Sequence, residues 1–324
     1  MPSSISNSEA HKAKHQLAAL AALVVGLMAL GLAAWQAMPL SKVSSERYLA
    51  AAQDHVDLLA STKGQEGRIV LLGGSGTAFS ISAEELSRRF DRTVINGGIQ
   101  AGIGMRNLID LYLPYLDPDN DTIVMLPEPE LLAGEARYSQ IWCDVVYLRK
   151  DAFALIQRPR CTPNILHRTW QEMRHHLSGQ DGFDPIYRRS GFNGFGDLVS
   201  HLDQDRTPPD LSEYRLPLIP RENLDAITDY SETILAARGF DVVYIPSAMP
   251  QAACTNATDE TSALLEQLGS MTTGAPVMVD VETEMTRFCL SSELFFDGAG
   301  HLNADGRKVQ TENVAAHLAE FLAR

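Results

Sequence analysis

The chain has 324 residues with 27 Lys+Arg against 41 Asp+Glu, a net charge of −14 that excludes the basic footprint of a general nucleic-acid binder. At 45% hydrophobic and 21% charged residues, it is neither a disordered acidic chain nor a polytopic membrane protein. The charge is uneven: Lys12, Lys14, Lys42 and Arg47 against Glu9 and Glu46 leave the first fifty residues at +2 and the remainder at −16.

Leu17 to Trp35 contains no charged residue and no proline, and about 20 such residues let a helix cross a bilayer core. The N-terminal part divides into a cytoplasmic tail (1–15), a transmembrane anchor (16–38) and a linker or stalk helix (39–64) whose Tyr48, Ala52, Val56 and Leu59 form one apolar stripe. A cleaved signal peptide is the competing reading. Its apolar region is usually only about 7–15 residues and QAMPLS is a poor cleavage site, which favours an uncleaved anchor. Cys143, Cys161, Cys254 and Cys289 all lie beyond the span, with no CxxC pair and no metal-finger histidines. An even count in an exported domain reads as up to two disulfides. Sequence neighbourhood favours Cys143 with Cys161 and Cys254 with Cys289, against the alternative of buried thiols. The expected location is the inner membrane, single-pass, with the bulk of the chain in the periplasm.

The body (65–324) opens with RIVLLGG at 68–74, an apolar run closed by glycines, followed by a helix that Ser82 caps with Glu85 three residues later. RTVING is a second strand, GIGMRNLIDLYLPYL a helix, and DTIVMLPEP a third strand. A large insertion after the third strand, about 131–220, interrupts the order with aromatic, basic and Pro/Gly-rich pieces. RENLDAITDYSETILAARG, DVVYIPSAMP, SALLEQLGSM and PVMVDV then read as helix, strand, helix and fifth strand, and a helix from Asn303 closes the chain. Alternating strands and helices imply an α/β fold, a three-layer α/β/α sandwich of the flavodoxin-like kind with about five parallel strands.

Ligands in open α/β sheets bind at the carboxyl ends of the strands, and the first strand ends in LLGGSGTAF with Ser75 in a glycine-flanked turn. A Gly/Ser turn is by itself an ordinary structural feature. FFDGAGHLNADG, just before the last helix, supplies Asp297 and His301: an imidazole to take the serine proton and a carboxylate to orient it. No HExxH, Cys/His cluster or DxDxDG loop points to a metal, and no cofactor is expected.

GGSGTAF, NGGIQAG and DGAGHLNADG resemble the first, second and fifth blocks of the SGNH (GDSL-like) hydrolase superfamily. With the anchor and the mid-chain RRSGFNGFGD, they are similar to the membrane-anchored SGNH-like proteins associated with membrane-bound O-acyltransferases in polysaccharide acetylation. The resemblance implies Ser75 as nucleophile, His301 as general base, Asp297 as its orienting acid, and the backbone N–H of Ser75 and of Gly98 or a neighbour as oxyanion donors. There are three departures. Gly74 replaces the usual Asp before the serine. Three residues rather than two separate Asp297 from His301, so the loop must bulge. MLPEPE, with Glu128 and Glu130, stands where an oxyanion-hole Asn is expected. Asn193 is a candidate replacement amide, against its reading as a turn residue beside Gly194. Arg188 and Arg189 are candidates to steer an anionic glycan, against plain surface charge.

The expected function is acetyl transfer through an acyl-serine to a polysaccharide acceptor, the acyl donor being delivered through a membrane-bound O-acyltransferase. An acetyl esterase with the same residues and a noncatalytic scaffold subunit are the alternatives. The acidic body favours a neutral glycan.

Overall fold

The computed structural model describes residues 7–37, 46–133, 139–149, 152–178, 184–217, 219–256, 259, 262–266 and 286–323. Helix α1 (Asn7–Ala37) contains an apolar stretch, Lys14–Gly31, that is long enough to cross a membrane, a property an anchor and a signal sequence share. Helix α2 (Ala51–Ser61) buries Ala51, Ala52, Val56 and Leu59 in the main core. The segment read as a stalk is therefore part of the domain, because its apolar stripe finds a partner there.

Strand β1 (Arg68–Gly73) is buried along its whole length and leads into α3 (Ser75–Ser80) and α4 (Ala83–Phe90). The Glu85 N–H donates to Ser82 Oγ at 3.2 Å, the cap expected from the sequence. Strand β2 (Val94–Asn96), helix α5 (Met105–Tyr112) and strand β3 (Asp121–Leu126) complete the first half. The insertion is more regular than expected, with α6 (Gln140–Leu148), α7 (Ala152–Gln157) and α8 (Thr162–Ser178). Trp142, Cys143, Val145 and Val146 of α6 join the main core. Its sequence, QIWCDVVYL, is apolar nearly all round, so it has no periodic face to betray a helix.

Helix α9 (Arg221–Ile234) runs on to a turn closed by Gly239 at φ +87°, followed by β4 (Asp241–Tyr244). A hairpin of β5 (Phe295–Gly298) and β6 (His301–Leu302) precedes α10 (Ala304–Leu322), which Asn303 caps by accepting the N–H groups of Asp305 and Gly306. The sheet is parallel in the order β2-β1-β3-β4. The expected fifth strand, residues 276–281, lies outside the described residues.

Alternate residues of the strands face opposite cores. Val70, Leu72, Ile123, Met125 and Val242 pack with α2, α5 and α6, while Ile69, Leu71, Val124, Leu126 and Val243 pack with α4 and α10. Two-sided burial is why these strands read as unbroken apolar runs. The disulfides are Cys143–Cys161 and Cys254–Cys289, the pairs that sequence neighbourhood favours. Together with the apolar helix they suggest an extracytoplasmic location.

Candidate active site

The site assembles at the carboxyl edge of the sheet, where β1 gives way to α3. From Arg68 to Ile81 every residue is buried except Ser75, which opens α3 and reaches the surface. The β5–β6 hairpin brings up the other two residues. Ser75 Oγ–H donates to His301 Nε2 at 2.9 Å, and His301 Nδ1–H donates to Asp297 Oδ1 at 2.7 Å. Asp297 lies in a register irregularity between Phe295 and Gly298, and Gly298 pairs with His301 across the turn at Ala299 and Gly300. Ser80 fastens the hairpin to α3: its Oγ donates to Gly300 O and accepts the Leu302 N–H, both at 3.2 Å.

Two further residues hold the imidazole. The buried Phe79 ring, one helical turn beyond Ser75, stacks on His301 with centroids 4.0 Å apart and planes 11° from parallel. Tyr187 Oη, from the insertion, donates to Asp297 Oδ2 at 2.6 Å and lies 3.1 Å from His301 Nδ1. Burial opposes ionisation of Asp297, but hydrogen bonds from His301 and Tyr187 outweigh it and hold the carboxyl below its ordinary value. Burial first, then the bond to Asp297, pushes the Tyr187 phenol up, so it stays a donor. Arg206 sits over the Phe296 ring, 3.7 Å from Asp297 Oδ2. Phe79 shares a helix face with Ser75 and could have been picked from the sequence; Tyr187 carried no local signal.

Glu128 follows β3 and lies beneath α3. Its Oε1 accepts the Thr77 N–H at 3.0 Å, doing for the helix start what Gly74 at the N-cap cannot. Oε2 is buried without a hydrogen-bond partner among the described residues, and burial pushes the acid up to about 8. The flanking glycines make room for it: a Cβ at Gly74 would lie 2.0 Å from Glu128 Oε2, and one at Gly76 2.5 Å from Oε1. The same Gly74 position approaches the Ala101 backbone nitrogen to 2.7 Å. As the first residue of a 3-10 turn (Ala101–Ile103), Ala101 has no partner for its N–H within that turn.

Other expected site residues are engaged elsewhere. The Gly98 N–H donates to Asn96 Oδ1 at 2.9 Å, which removes it as a free oxyanion donor. Asn193 is a turn residue: its Oδ1 accepts the N–H groups of Phe195 and Asp197, both at 2.9 Å, and Nδ2 donates to Asp197. Arg189 is clamped on Asp54, with Nε–Oδ2 at 2.7 Å and Nη2–Oδ1 at 2.5 Å. Arg188 is exposed and bridges Arg47 through its backbone.

A serine hydroxyl on an imidazole that is itself held by a carboxylate is equipped for nucleophilic acyl chemistry: the base takes the proton as the oxygen attacks a carbonyl. Compared with protein-family models, with curated proteins and with solved structures, the chain matches none.

Proposed function

We propose that the chain is a membrane-anchored, periplasmic SGNH-like O-acetyltransferase acting on a polysaccharide, with Ser75 as nucleophile. The observation that carries the reading is the continuous Ser75–His301–Asp297 hydrogen-bond chain, with bonds of 2.9 and 2.7 Å, ending on the single surfacing residue of a buried segment. A noncatalytic scaffold has no need of that alignment.

Ser75 Oγ attacks the acyl carbonyl while His301 Nε2 takes its proton. The tetrahedral oxyanion is met by backbone N–H groups, those of Ser75 and Ala101 being the ones we assign. His301 returns the proton to the departing donor group, leaving acyl-Ser75. A sugar hydroxyl then attacks the ester, gives its proton to His301 and leaves acetylated, and Ser75 recovers its hydrogen. Asp297 holds the imidazole with its proton on Nδ1 throughout. An acyl donor delivered through a membrane-bound O-acyltransferase suits the apolar helix, which would keep the site beside that partner.

Fluorophosphonate labelling tests the nucleophile. The wild type labels and Ser75→Ala does not, with turnover of p-nitrophenyl acetate lost by about 10⁴–10⁶-fold; labelling that survives the substitution sinks the reading. Mass spectrometry with an added oligosaccharide then separates transfer from hydrolysis: acetylated sugar supports the transferase, and free acetate alone assigns an esterase.

A further inference from the structure

Outside α1, the large apolar side chains exposed among the described residues are Leu155, Ile156, Trp170, Met173, Leu177 and Val309. Five of these six fall within 155–177, on α7 and α8. Scattered singly, such residues need no explanation; gathered on one short stretch, they mark a contact surface.

Among the described side chains of helix α8, three large apolar residues face outward. Trp170, Met173 and Leu177, at i, i+3 and i+7, share one face, and that face is exposed. Asn164, Arg168 and Gln171, at i, i+4 and i+7, share another, and among the described side chains of the helix these polar residues are the half-buried ones. Arg168 pairs with Asp144 of α6, so a charged contact seats the helix on the domain. The Cys143–Cys161 disulfide staples its start to the core. A soluble domain with nothing to meet would bury the apolar face and solvate the polar one.

Cations flank the same apolar residues: of the arginines in 149–178, Arg149 and Arg158 are buried and Arg168 pairs with Asp144, while Arg160 and Arg174 are exposed. Apolar anchors that include a tryptophan, set among basic residues, match a bilayer interface with anionic headgroups. Such a surface is within reach if α1 is an anchor, since the ten residues between Ala37 and Tyr48 span at most about 40 Å.

We propose that α7 and α8 form a docking element that lies on the anionic surface of the membrane α1 crosses, with Trp170, Met173 and Leu177 entering the headgroup layer. This rests on the reading of α1 as an anchor and is independent of the catalytic assignment. Docking at a second point would fix the face that the Ser75 site presents to the bilayer, which attachment through α1 alone does not.

The test uses the full chain reconstituted in vesicles of three parts phosphatidylcholine to one of phosphatidylglycerol, with nitroxide-bearing lipid as quencher. A single environment-sensitive fluorophore is placed at Met173→Cys, at Leu27→Cys in α1, or at Val309→Cys. Val309 is the matched control, 39% exposed against 40% for Met173. The expected result is quenching at 27, several-fold stronger quenching at 173 than at 309, and a smaller excess in pure phosphatidylcholine. Quenching at 27 with 173 no different from 309 overturns the docking and leaves the anchor standing; quenching at none of the three overturns both. A blue shift at 173 without lipid quenching assigns the face to a protein partner and overturns the proposal. An excess that persists undiminished in pure phosphatidylcholine overturns the anionic preference.

Discussion

Strand β3 has a buried carboxyl group at each end, and the two are treated in opposite ways. Asp121, at the amino edge, accepts bonds from Arg68 Nε at 2.8 Å and Nη2 at 2.6 Å, and its Oδ2 also accepts the Asp117 N–H at 2.7 Å. Arg68 spends its remaining donors on Leu59 O, Thr62 Oγ1 and Tyr115 O, so α2 is tied to the sheet through one buried ion pair. Glu128, at the carboxyl edge, meets no cation among the described residues; it caps α3 and is held neutral to about pH 8. Charge is tolerable where nothing reacts. Beneath Ser75 a fixed negative charge would oppose the oxyanion that forms on attack, whereas a neutral acid supplies the cap without that penalty.

Breaking the amino edge has the largest expected effect on stability. Asp121→Ala leaves the Arg68 guanidinium buried without its counter-charge, and urea unfolding should show a loss of about 3–5 kcal/mol. Arg68→Met combined with Asp121→Leu should recover most of it.

The carboxyl edge answers to pH instead. Because burial raises Glu128 from 4.5 to about 8, the folded chain holds a proton there that the unfolded chain releases at lower pH. The stability tied to the neutral acid is complete below pH 4.5 and is lost as pH rises to about 8, with a slope of up to about 1.4 kcal/mol per pH unit. Glu128→Gln, which keeps an acceptor for Thr77 and cannot ionise, should flatten that slope in unfolding measured at several pH values. It should also extend activity above pH 8, where the wild type declines. An unchanged slope in the Gln variant would mean that Glu128 is already ionised at neutral pH.

A smaller change at the same edge separates activity from stability. Tyr187→Phe removes a bond to the Asp297 carboxylate, and kcat/KM should fall about 10- to 100-fold. The unfolding midpoint should change far less than it does in Asp121→Ala.

The parts of this contrast that the sequence made legible were the local ones. The glycine-closed β1, the Ser82 cap, the stop at Gly239 and the two cysteine pairs each depend on neighbours within one element or one loop. Ser75 and His301 are 226 positions apart, yet each announces itself through its own glycine-rich turn, so the pair could be put together. Tyr187 and Glu128 could not: the first reaches Asp297 across 110 positions, and the second has a role set by the direction in which its side chain is buried. Asn193 and Arg189 failed for the complementary reason, since residue types suited to a site were absorbed by Asp197 and Asp54.

The smallest expected effect is at Arg189, whose pairing with Asp54 copies the two-bond geometry of Arg68 with Asp121 on a partly exposed surface: side-chain exposure is 34% and 44%, against 0% for both members of the buried pair. Water screens the charges and remains available to both once the pair is broken. Arg189→Ala should therefore cost no more than about 1 kcal/mol, and a double-mutant cycle with Asp54→Ala should return a coupling of that size or less. The KM for a glycan acceptor should be the same in both single variants, because a guanidinium already engaged by a carboxylate has little left to offer a sugar. A KM that rises in Arg189→Ala but not in Asp54→Ala would return the arginine to the substrate path. Equal, small effects would leave burial, rather than bond geometry, as the property that distinguishes the two arginine clamps.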